Sequence, residues 1–247
     1  MKRAFSFFRI EGETLCKEIR MLDRDVLLAF CVAPILAIIF RYYLSHRHAT
    51  LWFLEVLGKK EVTSHLVYWN WSAQSFLLWG VIPLILALAI HRLPPRQVGL
   101  TVGDWRAGAW LAAAPLGLMI LLTALVSDWP DFLRTYPLER GAIGSWRLFW
   151  SAQAAMVVYM TGWEFFFRGY LIGILRKPFG LYCIFIQMLP FVFLHFGKPL
   201  PETLGTILSG LYFGWMVWRT GSIYYGIILH IGVMFSMELF AVLRWRA

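Results

Sequence analysis

The chain has 247 residues, of which 60% are apolar and only 15% charged, against roughly 25% charged in an ordinary soluble domain. With a mean hydropathy of +0.64, that excludes a water-soluble enzyme and a disordered chain alike. Cys16, Cys31 and Cys183 are too scattered for a disulfide framework or a zinc cluster, and the net charge of +9 is spread between apolar runs, which suits lipid headgroups rather than nucleic acid.

Residues 1–24 hold six Lys/Arg beside Glu11, Glu13, Glu18 and Asp23. No apolar core of signal-peptide type lies among them, so they read as a basic cytoplasmic segment. Seven apolar runs follow within residues 25–247, near the roughly 20 residues that a membrane-spanning helix needs: about 25–44, 66–90, 107–127, 146–175, 180–197, 203–218 and 222–243. An eighth, shorter element at 51–58 is broken by Glu55 and reads as interfacial. The runs are too long for tilted strands, and a bilayer admits only helices or closed barrels. The expected fold is all-α, one polytopic bundle of about seven to eight transmembrane helices. Pro94, Pro95, Pro130, Pro178, Pro199 and Pro201 fall between runs or at their ends, and 13 Trp with 10 Tyr suit interfacial belts. With the N-terminus inside, 12 Lys/Arg lie inside and 10 outside, a slight bias toward a cytoplasmic N-terminus.

Of 14 acidic residues, two fall well within an apolar run, Glu164 and Glu238. A charged group at a helix centre costs about 2.5–3.5 kcal/mol on insertion scales, so intramembrane ionisable residues are functional candidates by default. The same filter leaves Arg168, His195 and His230. Glu164 and Arg168 are four residues apart and share a helix face. They read either as a carboxylate held charged to take a proton from water or as an ion pair that only neutralises itself in lipid. His195, at the end of its run, and His230, deep in the last, are either proton carriers or satisfied core residues. Glu238 returns to within about 80° of the face of His230 and reads as a neighbour of that site or as an interfacial acid. Gly169 with Gly173, and Gly210 with Gly214, are small-xxx-small pairs that let another helix approach. Glu164, His195 and His230 would make two imidazoles and a carboxylate, but with no HExxH helix and no cysteine ligands, neither metal nor cofactor is expected.

Trp163-Glu164-Phe165-Phe166-Phe167-Arg168, Phe191 through His195, and His230 through Met234 follow one another at spacings of about 30 residues. In order and placement they resemble the EExxxR, FxxxH and HxxxN motifs of the CPBP family of intramembrane proteases. That family includes CAAX-type prenyl-protein endopeptidases, bacteriocin self-immunity proteins and myxosortase-like enzymes. The flanks Phe167-Arg168-Gly169 and Trp218-Arg219-Thr220-Gly221-Ser222, and the upstream Pro95-Arg96-Gln97-Val98-Gly99-Leu100, are also similar, so the likeness spans about 95–240. Two positions depart: Trp163 stands where the family has its first glutamate, and Met234 where it has its asparagine.

The resemblance implies an intramembrane endopeptidase in a prokaryotic cell membrane, with a membrane-anchored or lipidated protein as substrate and a wet polar funnel to supply water. Glu164 would be general base, oriented by Arg168; His195 would share the water; His230 would donate to the oxyanion. Phe191, Trp163, Met234 and Glu238 would be accessory, with Ser236 or Glu238 standing in for the missing asparagine. Because Glu164 sits about 100° round an ideal helix from position 163, it serves as base only if the helix is rotated or locally unwound there. The two departures leave open an inactive relative that binds or protects a membrane peptide or partner. A small proton-coupled transporter using the same groups lacks the internal repeat such carriers show.

Overall fold

The structure, a computed structural model, describes residues 21–44, 56, 58 and 63–247. The basic segment expected at 1–24 and the interfacial element expected at 51–58 lie almost wholly outside these residues. Each of the seven apolar runs is a helix, and among the described residues there is no strand. The helices are α1 (Arg24–Tyr43), α2 (Ser64–Ile90), α3 (Trp105–Val126), a short α4 (Pro130–Thr135), α5 (residues 146–179), α6 (Tyr182–Phe193), α7 (Leu200–Thr220) and α8 (Tyr224–Arg246). A 3₁₀ turn at Arg140–Ile143 precedes α5. By length and hydropathy α1, α2, α3 and α8 meet the requirements of a membrane span outright.

Side chains that satisfy orphan N–H groups set the starts of the helices. Asp23 accepts from the amides of Asp25 and Val26 at α1, Thr63 from Leu66 at α2, Asp104 from Ala107 at α3 and Ser145 from Leu148 at α5. Gly180 (φ 54°) and Gly221 (φ 73°) end α5 and α7 in a backbone conformation that favours glycine.

The passes alternate in direction, and contacts between helix ends define two faces. On the N-terminal face, Asp25 at the start of α1 meets His91 just past α2, Arg219 at the end of α7 meets Asp104, and the guanidinium of Arg176 lies 4.0 Å over the Trp218 ring. On the other face, Ser64 donates to Glu139, Arg244 pairs with Asp128, and Arg246 donates to the Ile143 carbonyl.

Lipid is as apolar as leucine, so close packing rather than the hydrophobic effect holds such a bundle together. Helices α2 and α5 cross where Gly80 faces Gly162; a Cβ on Gly80 would lie 3.2 Å from the Gly162 Cα. The expected close approach at Gly210 and Gly214 is made by α6, with Gln187 donating to the Gly210 carbonyl at 2.7 Å. Gly169 and Gly173 do not seat a helix as their spacing suggested. They admit the strap at 95–100: a Cβ on either would lie 3.0–3.1 Å from the carbonyls of Val98 and Gln97, and Gln97 Nε2 donates to Gly173. The strap is tied on its far side by Ile223, whose amide donates to the Gly99 carbonyl.

Two local features place the functional groups. Helix α5 is α-helical over Trp146–Glu164, π-helical over Phe165–Leu171 and α-helical again over Ile172–Phe179. The turn thus widens immediately after Glu164, the kind of insertion that recurs at functional sites. Helix α6 has 12 residues, about 18 Å of rise against a hydrocarbon core of about 30 Å. His195 therefore lies in the turn after α6 rather than within a helix reaching 197, as the apolar run had suggested. Gly197 takes φ 98° and Pro199 lacks an amide donor, so the helix cannot continue through them.

Candidate active site

Glu164 is fully buried where α5 meets α8. Its Oε1 lies 2.6 Å from His230 Nδ1 and its Oε2 3.3 Å from Arg168 Nε. A carboxylate can only accept, so His230 Nδ1 carries the hydrogen and Nε2 faces away from the acid. Gly226, one turn before His230, makes room for the carboxylate: a Cβ there would lie 3.4 Å from Oε2.

Arg168, in the π-helical turn, has no exposed side-chain surface. Its guanidinium lies 4.2 Å from the centre of the Phe191 ring and 5.0 Å from that of Phe213. With Phe167 at 5.5 Å, the arginine is thus held by one charge and three aromatic faces. Phe191, in α6, reaches both imidazoles, with ring centroids 4.6 Å from His195 and 6.4 Å from His230. Phe213, in α7, lies 5.4 Å from His230.

His195 is half-buried. Its Nδ1 is 2.7 Å from the Phe191 carbonyl, which fixes the hydrogen on Nδ1 and leaves Nε2 as a lone-pair acceptor. Both histidines are therefore held in one tautomer by their own surroundings. Trp163 takes the side of α5 toward His195, its indole edge-on to the imidazole with centroids 5.8 Å apart, and its buried Nε1 makes no hydrogen bond.

The structure thus brings together Glu164, Arg168, His230, Phe191 and, through Phe191 and Trp163, His195. Met234 is buried in the core one turn beyond His230. Neither stand-in expected for the missing asparagine serves that role here. Ser236 donates to the Val233 carbonyl of its own helix, and the carboxylate of Glu238 accepts from the amide of Leu138 at 3.0 and 3.2 Å. Glu238 anchors the segment before the 3₁₀ turn, where Tyr136 donates to Glu202 and accepts from Lys198.

Two contributors escaped the sequence reading, Phe213 and Gly226. A phenylalanine in an apolar run carries no mark to separate it from one facing lipid. Gly226 stands four residues, about one helical turn, before a candidate histidine, a spacing that makes a notch beside it legible. Among the described residues no group of three His, Cys, Asp or Glu side chains is placed to hold a metal ion. The cavity of about 600 Å³ that adjoins this region is apolar and lies between α1, α5 and α6, unlike the polar funnel expected around the carboxylate.

No curated protein and no solved structure matches the chain. Residues 145–236 match the family model described as type II CAAX prenyl endopeptidase Rce1-like. The matched segment begins at the N-cap of α5 and contains Glu164, Arg168, Phe191, His195, His230 and Met234. The match covers less than half of the chain; within it the three motifs are carried in order on α5, after α6 and on α8, so this segment is similar to the CAAX-type members of the CPBP family of intramembrane proteases.

Proposed function

We propose that the chain is an intramembrane endopeptidase that hydrolyses a peptide bond of a membrane-anchored or lipidated protein. The observation that carries this reading is the 2.6 Å contact between Glu164 and His230, a charge-assisted hydrogen bond beside a second imidazole whose Nε2 is free to accept. In this reading Glu164 does not meet the water itself, because its two oxygens face His230 and Arg168. It is a positioning residue that accepts from Nδ1–H of His230 and so orients the ring. His195 Nε2 takes a proton from water as the water oxygen bonds to the substrate carbonyl carbon. As the imidazolium, with Nδ1–H on Glu164, His230 donates its Nε2–H to the oxyanion. His195 then returns its proton to the leaving nitrogen as the C–N bond breaks. General acid–base catalysis of this kind supplies about 10²–10⁴-fold.

A second reading is favoured by Trp163. An indole stands where the family places an acid beside His195, which suits a relative that binds or protects a membrane peptide without cutting it. Deleting the gene and comparing membrane polypeptides identifies those that accumulate uncut. Complementation with His195→Ala should then abolish processing at normal expression, and Glu164→Gln should reduce it severely. If both variants restore processing like the wild type, the peptidase reading fails and the binding reading stands.

A further inference from the structure

The cavity between α1, α5 and α6 has a volume of about 600 Å³, within the range of ligand sites. It exists because α1 is fastened at both ends and packs thinly between them. At its start, Asp25 meets His91 Nδ1 at 2.7 Å and His91 Nε2 lies 3.2 Å from the Tyr170 hydroxyl. Near its end, Phe40 enters an aromatic cluster with Trp71, Trp79, Tyr159 and Trp163. Between these anchors α1 offers Ala33, Pro34 and Ala37, whose small side chains leave a trough against Leu175 of α5 and Leu189 and Phe193 of α6.

Arg41, near the C-terminal end of α1, also lines the trough. It is exposed, and among the described residues no carboxylate pairs with it. Seventeen positions after Arg24 along α1, it stands about 25 Å from the opposite interface, at headgroup level for a hydrocarbon core of about 30 Å. A peptide is a poor occupant, because apart from Arg41 and Tyr42 the trough is lined by apolar side chains, which leave most of the backbone N–H and C=O groups it would bring into the membrane without partners. An alkyl chain needs no such partners.

We propose that this trough is a binding site for an anionic phospholipid of the bilayer, with one acyl chain against Ala33 and Ala37 and the phosphate at Arg41. The lipid would complete the packing between α1 and α6. The proposal is independent of the peptidase reading.

Native mass spectrometry of the full-length protein in detergent tests it, with phosphatidylglycerol and phosphatidylcholine of identical acyl chains as probes. The wild type should retain phosphatidylglycerol at roughly tenfold lower lipid concentration, the scale of about one charge-assisted contact. Arg41→Gln should bring the two lipids level. Ala37→Trp and Leu189→Trp, which fill the trough from opposite walls, should remove both adducts. Leu189 is half-exposed, so that variant keeps the test open if Ala37→Trp does not fold. Equal retention of the two lipids by the wild type overturns the charge assignment, and adducts that survive both tryptophans overturn the site. Displacement of phosphatidylglycerol by a farnesylated peptide, with no displacement by its unmodified form, assigns the trough to a substrate's lipid and overturns the phospholipid proposal.

Discussion

Arg168 and Glu164 are buried completely and lean on one another, so their removal is not symmetric. Breaking a buried pair by removing one partner leaves an uncompensated charge and typically costs about 3–5 kcal/mol, whereas replacing both by apolar groups of similar volume is often neutral. Glu164→Gln should therefore destabilise the protein by about that amount, and the double variant Glu164→Leu with Arg168→Met should recover most of it. Denaturant unfolding in micelles measures both, and equal stability of the single and double variants would show that the ion pair is not what holds this point together. Trp163 allows the reverse experiment. Trp163→Glu places an acid beside His195, at the family's own position, and should raise peptide cleavage by roughly 10²-fold; an unchanged rate would mean that the indole is not what limits turnover. Glu164, Arg168, His195 and His230 were legible in the sequence because an ionisable group in an apolar run is costly and conspicuous. The partnership was less legible. Periodicity puts Glu164 near Arg168, but it does not say that the carboxylate turns to His230 rather than His195, since that depends on which helix lies across α5.

At the level of the elements, glycine notches reveal how much of the bundle is set by close approach. A Cβ on Gly103, which has φ 57°, would collide with the Thr220 carbonyl, while one on Gly205 meets nothing within 4 Å. Gly103→Ala should destabilise the protein by more than about 1 kcal/mol, through both clash and backbone strain. Gly205→Ala, in the exposed interior of α7, should stabilise it by up to about 1 kcal/mol through helix propensity. Similar melting temperatures for the two would refute the packing of the 92–104 segment onto the end of α7. The neighbouring Asp104 adds a pH signature. The Ala107 amide, and then Arg219, hold its carboxyl below the usual aspartate range, so its contribution is present above about pH 4 and is lost as the pH falls through the lowered value. Asp104→Asn should flatten that part of the stability profile. The seven runs were readable because spanning length and hydropathy are coarse, robust signals. The strap in the Gly169–Gly173 notch was not, since a notch does not say what fills it, and the early end of α6 was hidden because Phe193 through Phe196 stay almost wholly apolar beyond it.

Across the described residues, the alternation of passes places Arg24, at the start of α1, and Arg246, at the end of α8, on opposite faces. This parity does not depend on the depth of the α6–α7 hairpin, because its two arms cross together or not at all. In a variant lacking Cys16, Cys31 and Cys183, a membrane-impermeant maleimide should label Arg92→Cys and Ala247→Cys from opposite sides of sealed vesicles, with the Arg92 side cytoplasmic if the slight excess of basic residues there decides orientation. Labelling of both from one side would break the topology. The tip of the hairpin carries a sharper question. Helix α6 is too short to reach the far surface from the N-terminal face, and non-helical backbone at membrane depth persists only where protein buries it or water reaches it. Lys198, three residues after His195, donates to Tyr136 and lies 3.8 Å from Glu202, with its side chain 30% exposed. The proposed hydrolysis at His195 would need water, and the hairpin tip is the nearest route for it from this face. Lys198→Cys should therefore label from the Ala247 side, more slowly than Arg134→Cys, whose native side chain is 78% exposed. If Arg134→Cys reacts and Lys198→Cys does not, water does not reach the hairpin tip from that face, and the nucleophile would have to arrive by another route.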